Sequence, residues 1–109
     1  MVDHPDPADT FLAQAELFPT FDRETRRALL ERARDGDTAA RHDYVYALCL
    51  RAAWAALAAR PARLRRVYAI QQALIVLRDL VEDPAVTDPE QVLAERVLDH
   101  LRAMQPPPS

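Results

Sequence analysis

Four arginines crowded into seven residues are the most unusual chemical feature of the sequence: Arg60, Arg63, Arg65 and Arg66. A guanidinium group is permanently charged and binds phosphate or carboxylate oxygens through paired hydrogen bonds. We expect Arg63, Arg65 and Arg66 to lie in the first turns of a helix, where the helix dipole disfavours cations. Such a placement invites a functional explanation, namely binding to phosphate or to an acidic surface. The more ordinary interpretation is a solvated corner, or ion pairing with the acidic ends of the same chain or of a second copy.

Arg96, Asp99 and His100 form a second group, because their spacing places them on one face of a helix. These side-chain types can support acid–base chemistry. A surface group of charged residues is the more ordinary interpretation. Trp54 and the tyrosines could stack on a ligand, but their apolar neighbours favour packing in the core. We therefore expect the protein not to be an enzyme.

The missing residue types exclude several chemistries. All fourteen basic residues are Arg, so a lysine Schiff base and a phosphate-loop lysine are excluded. Gly36 is the only glycine, and Ser109 is the only serine. Cys49 is the only cysteine, which excludes a disulfide within the chain and predicts a small buried hydrophobe. The histidines lack the Glu-x-x-His spacing of metal sites in helical bundles, so we expect no metal and no cofactor.

Charge and composition place limits on the partners. The net charge is −3 and the pI is about 5.5, so binding to nucleic acid is possible but not favoured. The first residues are acidic and broken by proline, unlike a signal peptide. We expect a cytoplasmic protein with no membrane association. The abundance of Arg, Ala, Asp and Pro, whose codons are GC-rich, points to a GC-rich bacterial genome.

The stretch Tyr44–Ala59 is the element around which the other helices are expected to pack. Only Arg51 interrupts it with a charge, and sixteen residues are too few for a membrane span. A helix that is apolar all round must be covered all round. One side carries Val45, Leu48, Ala52 and Ala56, and another carries Tyr46, Leu50, Trp54 and Leu57.

Caps, prolines and apolar periodicity predict an all-α, single-domain bundle of five helices. The predicted helices span residues 7–18, 22–35, 37–60, 61–82 and 89–104. Pro61 either begins the fourth helix or kinks one long helix, and we expect a break. The first helix is short and lies across a four-helix core. Residues 7–104 form the bundle domain, residues 1–6 a flexible lead, and residues 105–109 a disordered, proline-rich tail.

The apolar faces of the third and fourth helices are larger than one copy of the chain is expected to cover. This predicts a homodimer or a protein partner, although Ala-rich faces that need little cover are an equal alternative. The residues of the candidate self-interface are Trp54, Leu57, Ile70, Leu74 and Leu77. A charge at Leu74 is expected to break it. The predicted function is a non-catalytic, self-associating interaction or assembly module. The alternative is a small nucleic-acid-associated or transcription-related protein that uses the Arg60–Arg66 cluster.

Two short stretches resemble known helical families. Residues 30–41, LERARDGDTAAR, resemble the helix–turn–helix that opens region two of bacterial sigma factors, which implies a tight corner between two helices. The aromatic, basic promoter-melting helix of that family does not follow. Residues 63–67 and 98–102 are similar to stretches of the copper-sensing helical repressors, whose cysteine ligands lie in later helices, whereas Cys49 precedes the matching stretch. Neither resemblance contributes an activity to the prediction.

Overall fold

The computed structural model describes residues 6–104 as five α-helices joined by short turns, which confirms the all-α bundle. The helices are α1 (Pro7–Ala15), α2 (Arg23–Arg34), α3 (Thr38–Ala59), α4 (Arg66–Glu82) and α5 (Pro89–Ala103). The predictions for residues 1–5 and 105–109 lie outside the described residues. None of the described helices combines the length and the apolar character needed to cross a bilayer.

Aspartates begin the first three helices. The carboxylates of Asp6, Asp22 and Asp37 accept hydrogen bonds from backbone N–H groups of the first turn of α1, α2 and α3, at 2.7–3.0 Å. Gly36 has φ of 102° and makes the corner between α2 and α3, as predicted. Asp88 holds the N-cap position of α5, but its side chain makes no capping hydrogen bond and lies 3.6 Å from Arg23 instead.

The central position of α3 is confirmed, since it packs against all four other helices. Its buried side is built from Tyr44, Leu48, and alanines that allow close approach of the neighbouring helices. Against it lie the inner faces of α4 and α5, with Ile70, Leu77 and Leu93 almost completely buried.

Within a single chain, α3 is not covered all round. Tyr46 is 49% exposed and Trp54 is 53% exposed. The molecule measures only 19 Å along its shortest axis, about two helix diameters. Because the described helices pack on one side of α3 only, its other side faces outward.

The predicted start of α4 at Pro61 is also wrong, because α4 begins at Arg66. Arg60 is extended before the proline, and a single turn closes where the Leu64 N–H donates to the Pro61 carbonyl at 3.0 Å. The Arg60 guanidinium then donates to the Leu64 carbonyl at 2.7 Å. Arg65 is extended, with φ of −63° and ψ of 143°, so the turn does not continue into α4.

Candidate functional site

Four side chains form an apolar line along the outer side of α3, which we call the α3 stripe: Tyr46, Leu50, Trp54 and Leu57. Their spacing of four, four and three residues keeps them on one side over about 16 Å of helix. Trp54 and Tyr46 are about half exposed, and Leu50 and Leu57 are partly buried at the edge of the core. The stripe is therefore anchored in the bundle along its length and open to solvent on its outer side.

The N-terminal end of the α3 stripe is held by aromatic packing. The ring of Phe18, which follows α1, lies 5.0 Å from the ring of Tyr46 at a tilt of 58°. The ring of His42, one turn earlier on α3, meets Tyr46 edge-on at 6.3 Å. Tyr46 is fixed between these two rings and keeps half of its surface exposed.

An ion-pair network includes Arg51 of α3, which lies one turn before Trp54. Glu90, at the start of α5, accepts hydrogen bonds from Arg26 of α2 at 2.9 Å and from Arg51 of α3 at 3.1 Å. Burial disfavours the Glu90 carboxylate, but the two guanidinium groups outweigh burial and lower its pKa. The network ties α2 and α5 to α3 and fixes the bundle behind the stripe.

The predicted self-interface residues do not all share this surface. Trp54 and Leu57 lie on the α3 stripe, but Ile70 and Leu77 are 1% and 0% exposed within a single chain. They pack inward against α3 and α5, so they cannot reach a partner without unfolding. Leu74 is partly buried and faces a cavity between α1, α3 and α4. The exposed apolar surface is therefore smaller than the predicted self-interface, and it lies on α3.

The sequence pattern places Tyr46 and Leu50 on the same side as Trp54 and Leu57, although the predicted self-interface does not include them. The signal was present in their spacing. What the sequence lacked was the arrangement of α1, α2, α4 and α5, which decides the side of α3 that stays uncovered. On α4, Tyr68 and Ile75 are 40% and 45% exposed, but the polar Gln71 and Gln72 lie between them.

The Arg60–Arg66 cluster is divided by the structure. Arg66 donates to Asp6 at 3.0 Å and to Asp9 at 3.1 Å, which offsets its position at the positive end of α4. Arg60 is bound to a backbone carbonyl. Among residues 6–104, Arg63 and Arg65 are exposed and make no ion pair.

Arg96 and His100 line a shallow cleft of about 200 Å³ between α4 and α5, together with Asp79 and Asp83. Asp99 is exposed and does not line it. The His100 Nε2 atom lies 2.8 Å from the Gln72 amide oxygen, so one ring nitrogen is already engaged. The three residues are not brought together at one point. In the described part of the chain, His, Cys, Asp and Glu form no group of three that could hold a metal ion.

No family model, curated protein or solved structure matches the chain. The functional argument therefore rests on the geometry of the chain's own residues. Within residues 6–104, every buried side-chain nitrogen or oxygen atom has a hydrogen-bond partner. The core thus presents no unsatisfied polar group to a substrate, and the exposed apolar side of α3 is the strongest candidate surface.

Proposed function

We propose that this protein is a non-catalytic assembly module that forms a homodimer through the α3 stripe. The observation that carries the proposal is the half-exposed Trp54 within the continuous apolar line of the α3 stripe. Exposed lines of large apolar side chains are typical of protein interfaces, and Trp and Tyr are enriched where binding energy concentrates. Trp54 and Tyr46 supply those anchors here, and ion pairs of Glu90 with Arg26 and Arg51 join α2, α3 and α5 behind them.

The spacing of the α3 stripe favours a second copy of this chain as the partner. The four positions are nearly symmetric about a point between residues 51 and 52. If two α3 helices lie antiparallel across a twofold axis at that point, Tyr46 of one copy faces Leu57 of the other. Leu50 of one copy then faces Trp54 of the other. A surface that matches itself in this way suits an isologous dimer.

Charge at the N-terminal end of α3 agrees with the same arrangement. Asp43 lies one turn before Tyr46, so an antiparallel twofold axis keeps the Asp43 residues of the two copies at opposite ends of the interface. A parallel arrangement would instead place Asp43 beside Asp43, and like charges side by side disfavour association.

Molar mass measured by light scattering after size exclusion tests the proposal. We expect the wild-type chain to run as a dimer in the micromolar range at both low and high salt, because the contact is apolar. Trp54→Glu is expected to give a monomer. Ile75→Glu is the matched control, since it places the same charge on an exposed apolar residue of α4 and is expected to leave the dimer intact.

A wild-type monomer at all concentrations would refute the self-association. Loss of the dimer in Ile75→Glu alone would move the interface to α4. The Leu74→Arg change suggested by the sequence is less informative, because Leu74 faces the cavity beside α1.

The nucleic-acid alternative has less support. Two of its four arginines are engaged within the chain, and the cluster presents only Arg63 and Arg65 to a phosphate backbone. Nucleic-acid binding by this group would be salt-sensitive and would be lost in an Arg63→Ala, Arg65→Ala double variant.

A further inference from the structure

A recessed cavity of about 510 Å³ lies between α1, α3 and α4. Its apolar wall is made by Phe11 of α1, Val45 and Cys49 of α3, and Leu74 and Val81 of α4. This volume falls within the range of small-molecule sites, which are mostly apolar with a few polar groups that set orientation. The cavity is distinct from the outer surface of the α3 stripe, although Tyr46 borders both.

The polar residues around the cavity leave one positive charge uncompensated. Arg41 and Glu82 form an ion pair at 3.1 Å and cancel each other. Arg78 also lines the cavity, and among residues 6–104 it makes no ion pair. The fourth polar side chain of the wall, His42, packs edge-on against Tyr46. The wall of the cavity is therefore mostly apolar and carries one guanidinium group, that of Arg78, without an ion-pair partner among residues 6–104.

Cys49 and Arg78 both line the cavity, and the Arg78 charge is close enough to influence the thiol. Burial raises the pKa of the Cys49 thiol to about 11, and the nearby Arg78 charge partly opposes this rise. The thiol is thus protonated at neutral pH and behaves as part of the apolar wall.

We propose that this cavity binds a small amphipathic carboxylate, such as a medium-chain fatty acid. The carboxylate accepts hydrogen bonds from the Arg78 guanidinium, in the paired geometry that Arg offers to carboxylates. The hydrocarbon body lies against Phe11, Val45 and Leu74. A ligand with one negative charge fits, because it neutralises the Arg78 guanidinium and leaves the Arg41–Glu82 ion pair intact.

Titration calorimetry with decanoate tests the proposal, with decanol as the uncharged probe of the same chain length. We expect decanoate to bind the wild-type protein and Arg78→Gln to bind it at least about tenfold more weakly, because a charged hydrogen-bond partner is lost. The affinity for decanol is expected to be equal in both proteins. Arg102→Gln is the matched control, since it removes an exposed arginine of α5 that does not line the cavity.

Amide chemical shifts locate the bound probe in the same experiment. We expect decanoate to perturb the amides of Val45, Cys49 and Leu74 and to leave α5 unchanged. Equal decanoate affinity in the wild-type and Arg78→Gln proteins would overturn the role of Arg78. Absence of binding, or shifts confined to the outer side of α3, would overturn the site. Because neither probe tests self-association, failure here leaves the dimer proposal standing.

Discussion

Arg26 and Glu90 form the most enclosed ion pair among residues 6–104. The Nε and Nη2 atoms of Arg26 lie 2.9 Å and 2.8 Å from the same carboxylate oxygen of Glu90. Their side chains are only 16% and 15% exposed. The same guanidinium also donates to the Phe21 carbonyl. Two helices that lie far apart in the sequence, α2 and α5, are thus joined at their first turns, where the acidic Glu90 also complements the dipole of α5.

The first prediction concerns the pH dependence of this pair. The pKa of Glu90 is lowered from 4.5, so its contribution to folding is complete above pH 4.5 and is lost as pH falls through the lower, folded-state pKa. Near neutral pH, Glu90→Gln is expected to reduce the free energy of unfolding by about 1–2 kcal/mol. Urea unfolding at a series of pH values measures the difference between variant and wild type, which should shrink below pH 4.5.

Glu82→Gln is the control for the first prediction. Its partner Arg41 is 42% exposed and Glu82 itself is 59% exposed, so water screens the pair. We expect a loss below about 0.5 kcal/mol at neutral pH. A difference for Glu90→Gln that stays constant from neutral pH down to pH 3 would contradict the assigned role of the Glu90 charge.

The second prediction compares two leucines on opposite sides of α3. Leu48 is fully buried, whereas Leu50 is partly exposed on the α3 stripe. Leu48→Ala is expected to cost about 3 kcal/mol of folding free energy because it leaves a cavity in the core. Leu50→Ala is expected to cost about 1 kcal/mol, since little buried volume is lost.

Both leucine changes should be measured by urea unfolding in a Trp54→Glu background. Dimer formation would otherwise add a concentration-dependent term to the free energy of unfolding. Equal costs for Leu48→Ala and Leu50→Ala would mean that the outer side of α3 is covered, and would remove the basis of the proposed interface.

The sequence predicted the helices well because their ends depend on local chemistry. The positive φ at residue 36 favours glycine, Asp37 caps the next helix, and Pro61 disfavours a helical conformation at the residue before it. It failed at the start of α4, where Arg65 is extended and the Arg60 guanidinium donates to the Leu64 carbonyl. A contact of this kind depends on the path of the backbone, which the sequence pattern does not contain.

The candidate site was predicted only in part for a related reason. Periodicity identifies which residues share one side of a helix, and it correctly grouped Trp54 with Leu57. It does not reveal which side another helix will cover. Periodicity alone therefore predicts Ile70 and Leu77 on an outer surface, although they face the core. The cavity beside Arg78 depends on where α1 packs, so no sequence pattern identified it.

The third prediction tests the orientation of the proposed dimer by disulfide trapping in a Cys49→Ala background. In the antiparallel arrangement, Tyr46→Cys on one copy faces Leu57→Cys on the other. Residue 57 of one copy would lie about 16 Å from residue 57 of the other along the helix axes, and the same distance would separate the two copies of residue 46. A disulfide needs Cα atoms within about 7 Å. Mild oxidation of a mixture of the two single variants should therefore yield only mixed cross-linked dimers on a non-reducing gel.

Each single variant, oxidised alone, is the control for the trapping experiment. A parallel dimer would bring each introduced cysteine beside the same cysteine of the other copy. Each single variant would then cross-link when it is oxidised alone. That result would reject the twofold antiparallel axis. Mixed cross-links alone would instead fix the register, because a shift of one helical turn moves each pair by about 5.4 Å and separates the two sulfur atoms.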